Sequence, residues 1–231
     1  MTKEEFIIEC KKIGIIINDE ILNDLEKYRE ELIVWNNKFN LTTIIEEKEV
    51  YLKHFYDSIC ITKATSFENK KICDFGTGAG FPGVVLAILF RNSEITLIES
   101  NSKKVSFLEN IKEKLNLSNI TIINERTEDY GRNNRELFDI VTCRAVSNLK
   151  IILELSISLL KINGLFIPLK SNVDDEFNES IEKSKLLGYD FIKKIEYKLP
   201  IENSNRSILI YKKIKKTDVK YPRNYNVIKK D

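Results

Sequence analysis

Gly76, Gly78, Gly80 and Gly83 lie within eight consecutive positions, in the run Lys-Ile-Cys-Asp-Phe-Gly-Thr-Gly-Ala-Gly-Phe-Pro-Gly of residues 71–83. They are half of the eight glycines in the chain, so the clustering is a local demand and not a matter of composition. An apolar run ends in an acid, Asp74, and the glycines follow before a helical pattern begins. Glycine is required where φ is positive or where a ligand lies against bare backbone. Such a cluster between a strand and a helix predicts a nucleotide-binding turn.

Two fingerprints overlap in it. Gly78-x-Gly80-x-x-Gly83 satisfies the dinucleotide pattern, Gly76-x-Gly78-x-Gly80 satisfies the S-adenosylmethionine pattern, and a glycine-rich turn without ligand is the third reading. Pro82 stands where a dinucleotide reading needs a helix N-terminal N–H for pyrophosphate, and proline has none. Asp74 would repel a pyrophosphate but suits a ligand with an ammonium and a sulfonium group. S-adenosylmethionine is therefore expected ahead of NAD.

A chain of 231 residues has room for one α/β domain and a small extension. Its net charge of +2 with 31% charged residues is neither a disordered nor a membrane composition. No uncharged apolar run reaches the roughly 18 residues of a spanning helix, and the acidic start lacks the basic and then apolar order of a signal peptide. Cys10, Cys60, Cys73 and Cys143 form no C-x-x-C, and there is one histidine. The common zinc clusters are excluded, no metal is expected, and reduced thiols in a cytoplasm are. Residues 1–31 carry nine acids and five bases, a local −4; residues 193–231 carry twelve bases and four acids, a local +8. The tail, with Lys212, Lys213, Lys215, Lys216, Lys220, Arg223, Lys229 and Lys230, reads equally as a phosphate-facing patch or as a solvated surface.

Helical spacing of apolar residues predicts helices over 3–15, 19–39 and 47–65, with Asn18 or Asp19 as a cap. From residue 70 the period changes. Strands are expected at 71–75, 94–99, 120–124, 138–143, 164–169, about 190–197 and about 207–213, and helices at 82–91, 102–116, 147–161 and 174–187. Alternating strands and helices require mostly parallel pairing with right-handed crossovers. The last two strands have no helix between them and form a hairpin. The expected fold is a doubly wound, mostly parallel seven-stranded Rossmann-like methyltransferase sheet with a terminal antiparallel hairpin. A helical extension over 1–66 is expected to pack on the sheet domain of 67–231, which ends in the basic tail.

In open parallel sheets the ligand lies beyond the carboxyl ends of the strands. Those ends hold Asp74 with the glycines, then Glu99, then Arg126-Thr127-Glu128, then Arg144. Glu99, about 20 residues beyond the glycine turn, suits the two ribose hydroxyls, with a plain surface glutamate as the alternative. Glu128 is within reach of the adenine or is an acid opening a helix.

Trp35-Asn36 with Asn40-Leu41-Thr42, His54-x-x-Asp57-Ser58, Asp74-x-Gly-Thr-Gly-Ala-Gly-Phe-Pro-Gly83, Glu99-Ser100-x-x-Lys103-Lys104-x-x-Phe107-Leu108, Arg126-x-Glu128, Arg144-Ala145, Lys170 and Tyr221-Pro222-Arg223 occur in order along nearly the whole chain. Together they resemble the bacterial 16S ribosomal RNA guanine-N7 methyltransferase family. That resemblance implies S-adenosylmethionine as cofactor and methylation of one guanine in the decoding-region loop. It also implies cofactor contacts at Gly76, Phe81, Thr127, Glu128 and Arg144. Ser171 after Lys170 and Thr127 itself depart from the residues usual in the family. The resemblance implies 16S ribosomal RNA or a small-subunit particle as substrate, and a monomer is expected. The alternatives are a methyltransferase on a small molecule or protein, an NAD-dependent oxidoreductase, and a ligand-sensing RNA-binding module without turnover.

Guanine N7 presents an in-plane lone pair and no proton, so its methylation requires no general base. Arg144 is cast as holding a phosphate or orienting a cofactor carboxylate, and Asn40 as reaching the guanine edge or the donor, or as a helix cap. No catalytic residue is certain; Asn40 and Arg144 are the candidates. His54 is read as a partner of Asp57 that braces the extension. Arg126, Arg144, Lys170 and Arg206 form the expected inner phosphate path, with Arg223 and the tail lysines beyond it.

Overall fold

The computed structural model describes residues 1–230. Seven strands form one sheet in the order β3-β2-β1-β4-β5-β7-β6. They are β1 (Lys71–Phe75), β2 (Glu94–Ile98), β3 (Ile120–Ile123), β4 (Phe138–Arg144), β5 (Leu160–Lys170), β6 (Tyr189–Lys198) and β7 (Asn205–Lys213). β1 to β5 pair in parallel, and β7 pairs antiparallel with both β5 and β6. The strand order reverses between β1 and β4, so a crevice opens at their carboxyl ends.

Helices cover both faces, which bury separate apolar clusters. One face carries α1 (Lys3–Lys12), α2 (Asp19–Asn36), α5 (Gly83–Leu89) and α6 (Ser102–Lys114); the other carries α7 (Thr127–Asn133), α8 (Leu149–Ile157) and α9 (Asp174–Leu187). A short α10 (Tyr225–Ile228) lies on α8. Asn18 caps α2, its Oδ1 accepting from Ile21 N at 2.8 Å. Phe6, Leu25, Tyr28 and Leu32 of the N-terminal helices lie in the same apolar cluster as Val84, Leu97 and Phe107 of the sheet domain.

Two expected elements are corrected and two short helices are added. The helix expected over 47–65 is a composite: α3 (Glu47–Glu49), a π-helical turn Val50–Tyr56, α4 (Asp57–Ile59) and a 3₁₀ turn Cys60–Lys63. The helix expected to reach 161 ends at Ile157, and β5 starts at Leu160. Leu159 and Leu160 are apolar in either conformation, so spacing alone does not mark that boundary. α7 and α10 are too short to show a period and were not foreseen.

No helix among the described residues is long and apolar enough to cross a membrane. Among them, no group of three or more His, Cys, Asp or Glu side chains could hold a metal ion.

Candidate active site

The glycine turn follows β1 directly. Gly76, Gly78 and Gly80 have φ of 61°, 62° and 99°, which only glycine adopts without strain. A Cβ on Gly80 would lie 2.6 Å from the Tyr28 hydroxyl, and one on Gly83 would lie 2.3 Å from Leu97 Cδ2. A Cβ on Gly78 would meet only Lys104 Nζ, at 4.0 Å. Gly80 and Gly83 are therefore packing positions, whereas Gly78 presents bare backbone to open space. From α2, the buried Tyr28 hydroxyl donates to Ala79 O and ties the helical extension to the turn.

Asp74 lies wholly buried beneath this turn. Its Oδ2 accepts from Thr77 Oγ1 at 2.6 Å and from Gly83 N at 2.8 Å, and its Oδ1 is buried without a protein partner. Burial pushes the carboxyl up to about 7, against the opposing pull of the Thr77 hydroxyl, the Gly83 N–H and the Arg144 charge. The carboxylate thus occupies the N-terminus of α5, whose cap position is Pro82. A pyrophosphate has no free N–H there and would face an acid.

Glu99 stands at the end of β2, its Oε2 accepting from Gly78 N at 3.0 Å and its Oε1 from Asn101 N at 2.8 Å. Each oxygen keeps a second lone pair, so the group can still accept a vicinal diol. Thr127 and Glu128 open α7 and are buried. These residues fit S-adenosylmethionine: bare backbone at Gly78, a carboxylate able to accept ribose hydroxyls, and an orphaned carboxyl oxygen under the turn.

Beside it lies a crevice of about 360 Å³, lined among others by His54, Asp57, Arg144, Lys170 and Arg206. Ala145, at its lip after β4, has φ of 55°, a left-handed conformation uncommon outside glycine. Asp57 is the hub. Its Oδ2 takes Arg144 Nη1 at 3.1 Å, and its Oδ1 takes Tyr197 Oη at 2.8 Å and Arg206 Nε at 3.3 Å. Two guanidinium groups share this one carboxylate, which leaves the wall net positive. Lys170 Nζ is bound to Ser147 O at 2.9 Å and to Glu176 Oε2 at 2.6 Å.

Three of the residues expected on a phosphate path, Arg144, Lys170 and Arg206, meet in this crevice. Arg126 instead stands at the N-cap position of α7 without a side-chain capping bond, its guanidinium 5.9 Å from the Tyr225 ring, and Arg223 turns inward, bidentate on the buried Glu154 at 2.8 and 2.7 Å. Asn40 is exposed over a small cleft beside Lys38, Phe39, Lys103 and Lys104. It is Asn36, not Asn40, that pins the following loop, accepting from Leu41 N at 2.8 Å and Thr42 N at 2.9 Å.

His54 does not pair with Asp57. The Arg144 guanidinium bridges the two, and His54 stacks on Phe81 with ring centroids 4.3 Å apart. The π-helical turn that holds His54 has more residues per turn than an α-helix, so the i, i+3 spacing no longer sets the two side chains on one line. The tail is corrected too. Lys213 is fully buried on Glu136 Oε1, Ile157 O and Leu160 O, so it belongs to the core and not to a patch. Sequence reasoning gave no role to Tyr28 or Tyr197, and gave Asp57 only that of a partner for His54. Asp57 stood in a recognised motif, but Tyr28 and Tyr197 carry no local signal.

The model of the family described as rRNA small subunit methyltransferase G matches residues 21–197. The chain is 42% identical over 227 residues to Ribosomal RNA small subunit methyltransferase G of Bacillus subtilis (strain 168), covering 96% of this chain and 95% of that protein. It is 41% identical over 225 residues to the protein of the same name from Fusobacterium nucleatum, covering 97% of each. Among solved structures, the SAM-dependent O-methyltransferase of Thermotoga maritima superimposes with a TM-score of 0.56 at 16% identity, over 88% of this chain and 74% of that one. The last likeness concerns the fold alone.

Proposed function

We propose, from the fact that this chain belongs to the rRNA small subunit methyltransferase G family, that it transfers the methyl group of S-adenosylmethionine to N7 of a guanine in 16S ribosomal RNA. The observation that carries this reading is an adjacency. A turn suited to a sulfonium donor and a crevice walled by Arg144, Lys170 and Arg206 meet at the carboxyl ends of β1 and β4.

Bound there, the cofactor supplies an electrophilic methyl. Gly76, Gly78 and Glu99 hold it, with Asp74, Gly80, Phe81, Thr127 and Glu128 around them. The Asp74 carboxyl, held near 7 by burial, gives up its proton more readily beside a cation and so favours the sulfonium over its neutral, demethylated product. The guanine N7 lone pair attacks without losing a proton, so the residues contribute alignment and not base catalysis, with proximity worth roughly 7–11 kcal/mol at most. The base becomes cationic as it reacts. An arginine at N7 would oppose that charge, and Arg144 is therefore assigned to a phosphate of the RNA, with Lys170 and Arg206 beside it. Residues 1–66 serve as the helical wall of the crevice and residues 67–231 hold the donor. The protein acts in the cytoplasm on 16S ribosomal RNA or on a small-subunit particle.

Small subunits from cells lacking the protein, incubated with it and labelled donor, should gain one 7-methylguanosine by mass mapping. Labelled product at any other atom, or none, overturns the reading. Arg144→Ala should weaken RNA methylation far more than donor binding. Equal loss of both would reassign that residue to the cofactor.

A further inference from the structure

The reaction proposed above needs no base, yet the one histidine of the chain is buried in the crevice wall, where it meets Phe81, Thr42 and Arg144. Its ring lies flat on Phe81, the planes within 11°. Its Nε2 is 3.0 Å from Thr42 Oγ1, and its Nδ1 is 3.3 Å from Arg144 Nη2. A guanidinium has donors only, so Nδ1 must be the acceptor and must carry no proton. The neutral ring then bears its proton on Nε2 and donates it to Thr42 Oγ1. That oxygen also accepts from Ile44 N at 3.1 Å, which fixes the loop after Asn40 against the ring. Burial, and next to it the Arg144 charge, pushes the imidazole down to about 3, so the neutral form prevails at working pH.

The same contacts define Arg144. Its Nη1 donates to Lys53 O at 3.0 Å and to Asp57 Oδ2 at 3.1 Å, and its Nη2 donates to His54 Nδ1. Three of its five N–H groups are thereby committed, leaving Nε–H and one on Nη2 for a ligand. The guanidinium lies 5.3 Å from the Phe81 ring centroid, so its position over the ring is set as well. Lys53, His54 and Asp57 all belong to the π-helical turn or the residue that follows it. A guanidinium fixed at three points loses little rotamer freedom when it meets an anion.

We infer that His54 is a positioning residue for methyl transfer: through its Nδ1 lone pair, with the Lys53 carbonyl and the Asp57 carboxylate, it orients Arg144 so that two free donors meet a phosphate of the substrate RNA. This rests on the assignment of Arg144 to the RNA. It also removes His54 as a general base, since the lone pair a base would use is already taken.

With a single histidine, selective ¹⁵N labelling reports this ring alone. The expected spectrum has an unprotonated, pyridine-type Nδ1 and a protonated Nε2 from about pH 5 to about pH 8, and Arg144→Ala shifts the Nδ1 resonance. A proton on Nδ1, or no response to Arg144→Ala, overturns the proposal without touching the functional reading. In kinetics, His54→Phe keeps the stack on Phe81 but removes the acceptor, whereas His54→Asn retains an acceptor near the Nδ1 position. His54→Phe should raise KM for RNA about tenfold, the loss of one charge-assisted hydrogen bond, with kcat and donor affinity unchanged. His54→Asn should recover most of that loss. A wild-type KM in His54→Phe, or equal defects in both variants, refutes the role, and if neither variant folds the wild-type spectrum decides. Absence of any RNA methylation by the wild-type protein would instead remove the functional reading, and this role with it.

Discussion

Gly78 and Gly83 belong to one motif and are required for different reasons. Gly83→Ala drives a Cβ to 2.3 Å from Leu97 Cδ2 and 2.8 Å from Asp74 Oδ2, so overpacking should destabilise the fold by about 1–3 kcal/mol in denaturant titrations. Gly78→Ala meets no close atom but must hold φ of 62°, a penalty of about 1 kcal/mol, while its methyl enters the open space proposed for the donor. It should fold and fail to bind S-adenosylmethionine by calorimetry. Equal stability losses in the two variants would contradict this division.

Asp74 and His54 make opposite contributions to pH dependence. The Asp74 carboxyl titrates near 3.8 ordinarily and about 7 here, so the folded chain binds more protons across that window and loses stability as pH rises through it. His54 titrates near 6.5 ordinarily and about 3 here, so the unfolded chain binds more protons and stability falls as pH drops below 6.5. Between pH 6.5 and 8 the loss from Asp74 exceeds the remaining recovery from His54, which is already half complete at pH 6.5. The ligand-free protein should therefore melt higher at about pH 6.5 than at about pH 8, and Asp74→Asn should flatten that difference. An unchanged slope in Asp74→Asn would show that another group is responsible.

At the scale of elements, the C-terminal segment is a strap and not a loose basic arm. Arg135 donates to Tyr221 O at 2.7 Å and to Thr217 O and Asp218 O, while Arg223 and Lys183 both reach the buried Glu154. Lys213 anchors its start. Lys213→Ala leaves a void in the core, takes the amine from Leu160 O and the cation from the half-buried Glu136, while Ile157 O keeps the Thr217 hydroxyl; it should lower stability by about 2–3 kcal/mol, with the salt dependence of RNA binding unchanged. Lys215 and Lys216 are exposed, and replacing both should leave stability alone and flatten the salt dependence by roughly one unit of slope or more. A flattened slope in Lys213→Ala would return that lysine to the surface.

Across the whole molecule, the N-terminal helices and the sheet cannot separate without cost, because Tyr28 of α2 packs on Phe81 and Phe107 and donates to the glycine turn. Hydrogen exchange should report amides of α2 and α5 opening together with the same free energy, and donor binding should slow both. Earlier exchange of α2 alone would show an independent extension.

Much of this was legible because its causes are local. A positive φ calls for glycine, alternating periods call for a doubly wound sheet, and a missing crossover helix calls for a hairpin; each sits within one stretch of chain. The Asp74 turn, Glu99 at the end of β2 and the helical face of α2 follow from such signals. What meets across the crevice does not. Asp57, Arg144, Tyr197 and Arg206 come from four separate elements, and only the packed sheet brings two guanidinium groups and a phenol onto one carboxylate. Lys213 reads as a surface lysine among lysines until β7 places its amine among buried carbonyls. Sequence determined the backbone's turns because those depend on neighbours along the chain. The tertiary structure decided which charges are paired, because electrostatic partnership depends on distance in space and on the loss of water around it.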